Sequence, residues 1–271
     1  MNPNKALWEK GDFTRIAESM RASGAAFVDT LGVVPGMKVL DLGCGDGTTA
    51  LPAAERGAEV LGVDIAANLV AAGRRRAEAA GLSNLCFQEG DASELEELPD
   101  DNFDLVVSIF GAMFASRPYD VAKEMVRVTR PGGRVVMGNW IPGDPTLVAQ
   151  VLKVSAAYSP PPPEGFLSPV LWGKEEEVTA RFAAAGVAAE DVAFSREPWR
   201  FTQEGSPAAL LDQFTRYYGP TMNAVDAAEA AGRGDALHAD LLKVFEGQNT
   251  SEDPTVTSVT ATFLRVTVTV R

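Results

Sequence analysis

Short apolar runs alternate with amphipathic, alanine-rich stretches between about residues 39 and 140 of the chain. Brief runs rich in Val, Ile, Leu or Phe are typical of strands that are buried on both faces of a parallel sheet. The amphipathic stretches are typical of the helices that connect such strands, so this part of the chain is predicted to be an α/β core. The predicted strands are residues 38–42, 59–63, 85–88, 103–110 and 134–140.

Glycine and proline mark the predicted ends of the helices. Gly57 and Gly81 each follow an alanine-rich stretch, as expected of residues that end a helix in the left-handed conformation. Pro131 and the two glycines after it close a third helix and turn the chain into the next strand. The predicted helices are about residues 48–57, 68–81, 119–130, 146–158 and 174–185.

The last third of the chain predicts two more strands with a helical block between them. Residues 187–201 form one predicted strand, and residues 255–271 alternate Val, Thr and Phe in a β-rich pattern. Because strands are predicted on both sides, the helical block is expected to be an insertion that covers the sheet. We predict a core of residues 1–204 and 251–271 with a helical lid at residues 205–250.

The composition is that of an acidic protein. The 271 residues include 24 Lys and Arg against 37 Asp and Glu, which gives a formal net charge of −13 at pH 7. Such a surface repels nucleic-acid backbones and anionic lipids, so neither partner is expected. No apolar stretch approaches the roughly 20 residues of a membrane span, and no secretory leader is expected, which predicts a cytoplasmic protein. The two cysteines, Cys44 and Cys86, are too few for a disulfide scaffold.

The clearest chemical motif is a glycine-rich loop between the first predicted strand and the first helix. The strand ends in Asp41, and glycines follow at alternate positions, Gly43, Gly45 and Gly47. Glycine lets a backbone turn tightly and lets a ligand approach closely. The helix that begins near Thr48 offers free N–H groups to an anion. The loop is therefore predicted to seat a nucleotide-like ligand.

Acidic residues also end the next two predicted strands. Asp64 follows the second strand and Asp91 follows the third. Because the carboxyl ends of parallel strands meet at one edge of a sheet, these acids are expected to converge with Asp41. From the end of the second strand, a carboxylate can accept hydrogen bonds from both hydroxyls of a ribose.

Residues 39–140 resemble the class I S-adenosylmethionine-dependent methyltransferases, in particular the bacterial small-molecule branch that includes quinone-biosynthesis methyltransferases. The resemblance implies a Rossmann-like doubly wound sheet of seven strands, whose last strand, near residues 261–270, is antiparallel. It implies S-adenosylmethionine as the cofactor and a small organic molecule as the methyl acceptor. The cofactor-binding residues that it implies are Asp41, Gly43, Cys44, Gly45, Asp46, Gly47, Asp64, Ile65, Asp91, Ala92 and Ser108.

The chain departs from the family pattern at two places. Ala66 and Ala67 stand where many relatives have a Ser or Thr that caps the next helix, so this cap must come from elsewhere. After the fourth strand, enzymes that methylate nucleobase or amide nitrogen often carry an Asn/Asp-Pro-Pro-aromatic motif. This chain has Ser, Ile, Phe and Gly at residues 108–111, which argues against a nucleic-acid substrate.

No catalytic residue is predicted, because methyl transfer from a sulfonium mainly requires alignment and exclusion of water. No metal ion is expected either, since no further set of carboxylates and histidines is visible. His238, the single histidine, is expected to be structural. The candidate acceptor-binding residues are Phe114, Asn139, Trp140, Tyr217 and Tyr218, the last two with aromatic packing as the alternative.

Several alternatives stay open. The segment 8–13 either covers the core or folds over the cofactor, as similar segments do in relatives. The lid at residues 205–250 is expected to matter little for cofactor affinity, because the cofactor motifs precede it. The protein could instead hold S-adenosylmethionine without turnover. A nicotinamide-dependent oxidoreductase fits less well, because Thr48 stands where its Gly-x-Gly-x-x-Gly fingerprint needs the last glycine.

Overall fold

The computed structural model describes residues 3–162 and 164–271, which form one seven-stranded sheet flanked by helices. The strands are β1 Lys38–Leu42, β2 Glu59–Asp64, β3 Leu85–Glu89, β4 Phe103–Ile109, β5 Thr129–Trp140, β6 Val192–Glu204 and β7 Val256–Thr269. The helices are α1 Pro3–Glu9, α2 Thr14–Glu18, α3 Arg21–Asp29, α4 Ala50–Glu55, α5 Ala67–Ala79, α6 Pro118–Val128, α7 Leu147–Tyr158, α8 Glu175–Ala184, α9 Pro207–Tyr217, α10 Gly219–Ala230 and α11 Gly234–Gln248. None of these helices is long and apolar enough to cross a bilayer.

The strand order of the sheet is β3-β2-β1-β4-β5-β7-β6. The first five strands are parallel, whereas β7 runs antiparallel to both of its neighbours, β5 and β6. The predicted fold class, including the antiparallel last strand, is confirmed. The chain order reverses between β1 and β4, and open α/β sheets bind ligands in the crevice that such a reversal leaves at the carboxyl ends of the strands.

The bounds of β1 agree with the prediction and β7 begins one residue later than predicted, but β5 and β6 each begin five residues from the predicted start. β5 starts at Thr129 rather than residue 134, because Thr129 pairs with Phe103 before the register shifts. β6 starts at Val192 rather than residue 187. Gly186 and Val187 instead cap α8 just beyond its last residue, since the Val187 N–H donates to the Phe182 carbonyl at 3.0 Å.

The central strands β1, β4 and β5 are buried on both faces over most of their length, as the apolar runs predicted, whereas the edge strand β6 has many exposed positions. Val39, Leu105 and Val135, at the centres of three neighbouring strands, have no exposed surface. The three helices α9, α10 and α11 lie between β6 and β7 in the chain, in the block predicted to be an insertion. The three short helices α1, α2 and α3 precede the sheet, and α1 and α2 contact the inserted helices.

Candidate functional site

The glycine-rich loop follows β1 at the point where the strand order reverses. Gly43, Gly45 and Gly47 all have positive φ, at +70°, +55° and +91°. The Gly43 N–H donates to the carbonyl of Val63 at the end of β2, over 2.7 Å. A Cβ atom at Gly43 would lie 2.6 Å from the Cα of Gly111, so the loop touches the backbone that follows β4. The left-handed turn and the close contact both require glycine here.

Asp64 ends β2 beneath this loop, with 8% of its surface exposed. Its Oδ2 accepts a hydrogen bond from the Gly45 N–H at 2.8 Å, and its Oδ1 accepts one from the Ala66 N–H at 2.9 Å. Burial raises the pKa of Asp64, whereas these N–H groups oppose the increase. The carboxylate is thus held in place at the wall of the cavity described below.

Asp41 is buried beside the start of α4, and 1% of its surface is exposed. Burial and the nearby Asp64 carboxylate raise the pKa of Asp41 to about 8, and the Ala50 N–H opposes this shift. Its Oδ2 has no hydrogen-bond partner among the described residues. We therefore expect Asp41 to be largely protonated at neutral pH in the ligand-free protein.

The raised pKa of Asp41 predicts how stability changes with pH. An acid whose pKa is higher in the folded than in the unfolded chain holds more protons when folded, so unfolding becomes easier as pH rises between the two values. Asn cannot ionise. The variant Asp41→Asn should therefore gain stability relative to the unmodified protein as pH rises from about 5 to about 8, as measured by urea unfolding. A difference that stays constant over this range would show that Asp41 is already ionised.

Asp46 is held by two arginines. Its carboxylate is 1% exposed, accepts a hydrogen bond from Arg21 Nη2 at 2.8 Å, and lies 3.3 Å from Arg76 Nη1. Arg76 Nη1 also donates to the Asp46 carbonyl at 2.6 Å. These contacts tie the loop to α3 and α5.

A cavity lies at the carboxyl ends of β1 to β4, against the glycine-rich loop. Nine of the residues predicted to bind cofactor or acceptor line it. They are Gly43, Cys44, Gly45, Asp46, Asp64, Ile65, Asp91, Ala92 and Phe114. The sequence motifs on three separate strands thus meet around one space, as expected of an open α/β sheet.

Three residues predicted to bind the cofactor do not line this cavity: Asp41, Gly47 and Ser108. Ser108 joins two loops, because its hydroxyl donates to the Leu42 carbonyl at 2.5 Å and accepts from the Ala112 N–H at 2.9 Å. These three residues support the cavity from outside, and direct cofactor contact by them stays a prediction.

Four of the candidate acceptor residues lie outside the cavity lining: Asn139, Trp140, Tyr217 and Tyr218. Trp140 stacks on Phe110 with ring centroids 3.6 Å apart and planes at 9°. Asn139 is fully buried, and neither amide atom has a hydrogen-bond partner among the described residues. Tyr218 is buried and its ring packs on aromatic side chains of the N-terminal segment, whereas Tyr217 is half-buried.

Helix α1 lies across the mouth of the cavity. Asn4 Nδ2 donates to the Phe114 carbonyl at 2.6 Å, beyond the end of β4. Lys5 Nζ donates to the Ile65 carbonyl at 3.1 Å, beyond the end of β2, and also pairs with Glu89 of β3. In the segment 8–13, Trp8 and Phe13 both line the cavity and pack against the core. That the segment folds over a bound cofactor stays a prediction.

Helix α1 also supplies the missing cap of α5. Glu9 Oε1 accepts a hydrogen bond from the Ala67 N–H at 3.0 Å, and Asp64 accepts the one from Ala66. Side-chain oxygens at a helix start normally come from the capping residue itself. Here the capping oxygen belongs to a carboxylate 58 residues earlier in the chain. This explains how α5 can begin at Ala66 and Ala67, which have no capping side chain of their own.

Part of the cavity lining is apolar, and much of that part is aromatic. It includes Trp8, Phe13, Met20, Phe110, Phe114 and Trp199. The sequence pattern marks the segments containing Trp8 and Phe110 as candidates for the site, but it does not mark Met20 or Trp199. The spacing of Trp199 and Phe201 predicts one buried face of a strand, yet nothing local shows which cavity that face meets.

The cavity offers little nucleophilic or basic chemistry. Burial and the nearby carboxylates raise the pKa of the Cys44 thiol well above its ordinary value, so it stays protonated and unreactive. His238 is exposed on α11 and does not line the cavity. Within residues 3–162 and 164–271, no group of three or more His, Cys, Asp and Glu side chains is placed to hold a metal ion.

The cavity fits a cofactor that carries an adenosine. Asp64, Ile65, Leu69 and Ala92 all lie in the lining, where the carboxylate would accept hydrogen bonds from ribose hydroxyls and the three apolar side chains would contact a base. A Cβ built on Gly45 would meet no atom within 4 Å, so open space lies over the loop backbone. That space suits the methionine part of S-adenosylmethionine, the cofactor implied by the sequence motifs.

Comparisons with known proteins agree with this geometry. The family model described as a methyltransferase domain matches residues 40–137. An uncharacterized protein of Mycobacterium tuberculosis H37Rv is 33% identical over 247 residues, which cover 89% of this chain and 88% of that protein. A demethylmenaquinone methyltransferase of Beutenbergia cavernae is 40% identical over 115 residues, covering 42% of this chain and 45% of that protein.

Solved structures extend the likeness to the whole fold. The YcgJ protein of Bacillus subtilis superposes with a TM-score of 0.58 at 20% identity, covering 92% of this chain and 99% of that chain. At this identity the match shows the fold alone, and the family follows from the sequence relatives and the domain. The resemblance inferred from the motifs is confirmed. The cofactor is accordingly S-adenosylmethionine, and the chain belongs to the class I S-adenosylmethionine-dependent methyltransferases.

Proposed function

We propose that this methyltransferase acts on a small, largely apolar organic acceptor. The observation that carries the proposal is the aromatic part of the cavity lining, which belongs to the same cavity as the acidic and glycine-rich residues that are predicted to bind the cofactor. Small-molecule sites are typically concave, lined by apolar and aromatic side chains, and supplied with few polar groups. The negative charge of the protein argues further against a nucleic-acid acceptor.

The residues of the site fall into two groups, those proposed to bind the cofactor and those proposed to keep water away from the reacting centre. Bound S-adenosylmethionine supplies an activated methyl group on its sulfonium. We propose that Asp64 accepts hydrogen bonds from the ribose hydroxyls and that Ile65 and Ala92 contact the adenine. The glycine-rich loop lets the ligand approach the backbone closely. Trp8 of α1 contacts the rings of Phe13 and Phe114, with centroids 5.5 and 4.9 Å away. We propose that these three lining residues exclude water from the reacting centre.

The carboxylates of the lining already have partners. Asp46 is bound to two arginines, Asp64 accepts from two backbone N–H groups, and Asp91 Oδ1 accepts from the Ser93 N–H and hydroxyl. Alignment can supply most of the rate enhancement in a displacement of this kind. We therefore propose that the acceptor enters with a free lone pair, so that the enzyme need not deprotonate it.

The test is turnover with radiolabelled S-adenosylmethionine. The purified protein is incubated with the cofactor and with panels of small apolar amines, which carry a free lone pair, and of thiols and phenols, which must lose a proton. Release of S-adenosylhomocysteine is measured. We expect release that depends on one acceptor class. Tight cofactor binding without release in the presence of any metabolite extract would instead identify a non-catalytic S-adenosylmethionine-binding protein. Transfer to tRNA or DNA but to no small molecule would contradict the proposal.

The inserted helices at residues 205–250 are proposed to form a lid over the acceptor pocket. They reach the cavity through the N-terminal segment: the Tyr218 ring lies 6.0 Å from the ring of Trp8 and 6.2 Å from that of Phe13. Lys10 also pairs with Asp226 of α10 at 2.5 Å. Because Trp8 and Phe13 line the cavity, the lid is now expected to influence cofactor binding, contrary to the expectation from the sequence.

Two tyrosine variants test this coupling. Tyr218→Ala should weaken S-adenosylhomocysteine binding by about tenfold, because the buried ring that supports Trp8 and Phe13 is lost. Tyr217→Ala, at the half-buried neighbour, is the matched control and should change binding less than about threefold. Isothermal titration calorimetry measures both. Equal and small effects would place the lid outside the cofactor site, as the sequence suggested.

The cytoplasmic location stays a prediction.

A further inference from the structure

The charged side chains in the cavity lining are all acidic. Asp46, Asp64 and Asp91 line the cavity, and its lining within the described chain contains no Lys, Arg or His. Charges act over several ångströms inside a protein, so a carboxylate need not touch a ligand to affect its binding. Burial raises the pKa of the Cys44 thiol in the same lining, and the nearby carboxylates, Asp64 foremost, raise it further. The cavity therefore disfavours an additional negative charge.

The basic side chains beside the cavity already have acidic partners. Arg21 and Arg76 both pair with Asp46, over 2.8 and 3.3 Å, and neither residue lines the cavity. Lys5 of α1 pairs with Glu89 of β3. An acceptor that carries a carboxylate, phosphate or phenolate would leave water without gaining a free cation in the described lining. Anionic acceptors are thus unsuited to this cavity.

Three aromatic rings in the lining meet at steep angles. The Trp8 ring centroid lies 5.5 Å from that of Phe13 and 4.9 Å from that of Phe114, with planes at 88° and 72°. Each of the three residues is only partly buried and lines the cavity, so each keeps accessible surface. The face of an aromatic ring carries partial negative charge, and groups of such rings hold quaternary ammonium ligands. Both the charges and the rings of the lining therefore favour a cation.

The ionisable groups in the lining are poorly suited to take a proton from an acceptor. The Cys44 thiol stays protonated, Asp46 pairs with two arginines, and Asp64 accepts hydrogen bonds from two backbone N–H groups. Asp91 accepts hydrogen bonds from Ser93. Thiols, phenols and alcohols must lose a proton when they are methylated, whereas an amine reacts through its lone pair. An amine is therefore the acceptor class that these groups favour.

We infer that the methyl acceptor is an uncharged amine and that the product is an ammonium cation recognised by the rings of Trp8, Phe13 and Phe114. In the transfer, the nitrogen lone pair forms the new N–C bond, the S–C bond breaks, and its electron pair stays on sulfur. The positive charge moves from sulfur to nitrogen, so no base is required and the charge of the filled cavity is unchanged. This inference rests on the proposed small-molecule function.

Three probes of one shape test the inference without turnover. Choline, 3,3-dimethylbutan-1-ol and isethionate share a hydroxyethyl group and a tetrahedral head, which is cationic in the first, neutral in the second and anionic in the third. Their dissociation constants are measured by ligand-observed NMR with the protein saturated by S-adenosylhomocysteine, which lacks the sulfonium charge. The unmodified protein should prefer choline to the neutral alcohol by about tenfold, as expected of a cation at aromatic faces. Isethionate should bind about tenfold more weakly than the alcohol, or not at all.

Leucine variants separate the aromatic faces from apolar contact. Trp8→Leu and Phe114→Leu keep apolar side chains but remove a ring, so each should lower the preference for choline to about threefold or less. Binding of the neutral alcohol should change by less than about twofold. Tyr119→Leu is the matched control and should keep the full preference, because its ring is half exposed on α6 and lies outside the lining. Melting temperatures show which variants are folded, and either lining variant suffices if the other fails to fold.

Four results would overturn the inference. They are equal binding of choline and the neutral alcohol, binding of isethionate as tight as that of choline, absence of choline binding beside S-adenosylhomocysteine, and a loss of preference in Tyr119→Leu as large as in Trp8→Leu.

The turnover assay distinguishes this inference from the proposed function. Release of S-adenosylhomocysteine with thiols or phenols but with no amine would overturn the inference and leave the proposed function intact. Release with no small molecule, together with a clear preference for choline, would contradict the proposed function while supporting recognition of a cation by the cavity.

Discussion

Gly43→Ala is expected to lower the free energy of unfolding by about 2–5 kcal/mol. A side chain at this position is unfavourable for two reasons, the positive φ of +70° and the backbone atoms of Gly111 within 2.6–2.7 Å of the new Cβ. Backbone atoms cannot swing aside as the end of a flexible side chain can. Urea unfolding measures the change, and calorimetry should show that cofactor binding falls with it.

Two alanine variants separate these reasons. Gly81→Ala has a φ of +66° and no atom within 4 Å, so it should show the conformational effect alone, about 1–2 kcal/mol. Gly111→Ala has a negative φ of −97° and would place its Cβ 2.2 Å from the Gly43 carbonyl oxygen, so it should show the steric effect alone. If Gly43→Ala were no worse than Gly81→Ala, the two loops would not be in close contact.

Asp64→Ala is expected to weaken S-adenosylmethionine and S-adenosylhomocysteine binding by about 1.5–3 kcal/mol. The loss has two sources: the proposed hydrogen bonds to the ribose, and the bonds from Gly45 and Ala66 that hold the loop in place. Isothermal titration calorimetry measures the affinity of each variant.

Asp64→Asn helps to distinguish the two sources. Its amide oxygen can still accept a hydrogen bond from one of the two backbone N–H groups, whereas the negative charge toward the ribose is lost. Glu59→Gln, at the exposed first residue of the same strand, is the control for loss of a negative charge and should leave affinity unchanged. Unchanged affinity in Asp64→Ala, or tight binding of NAD by the unmodified protein, would show that the site is not as assigned.

The cofactor half of the molecule could be predicted because its signals are local. Strand β1 begins and ends as the apolar run around Leu40 indicates, and the acid and glycine spacing lies within a few residues of that strand. The parallel arrangement then brings Asp64 and Asp91 to one edge without further information. Each step uses neighbouring residues in the chain, which is where sequence patterns are most informative.

The acceptor half could not be predicted in the same way because its contacts are distant in sequence. Trp199 reaches the cavity only because β6 pairs with β7, and Glu9 caps α5 only because α1 crosses the cavity mouth. Neither contact leaves a periodic signal in the chain. Candidates chosen by position, such as Asn139 at the end of β5, lie buried outside the cavity lining instead.

Because β7 lies between β5 and β6, the ribosome must make β7 before β6 can join the sheet. At ordinary rates of synthesis, β6 emerges roughly 3–10 s before the strand that pairs with it. During that interval it is an unpaired strand with large aromatic side chains, a form prone to aggregation or to capture by chaperones. The nascent chain can therefore assemble the edge formed by β1, β2 and β3 early, whereas the wall that carries Trp199 is completed only after β7 has been made.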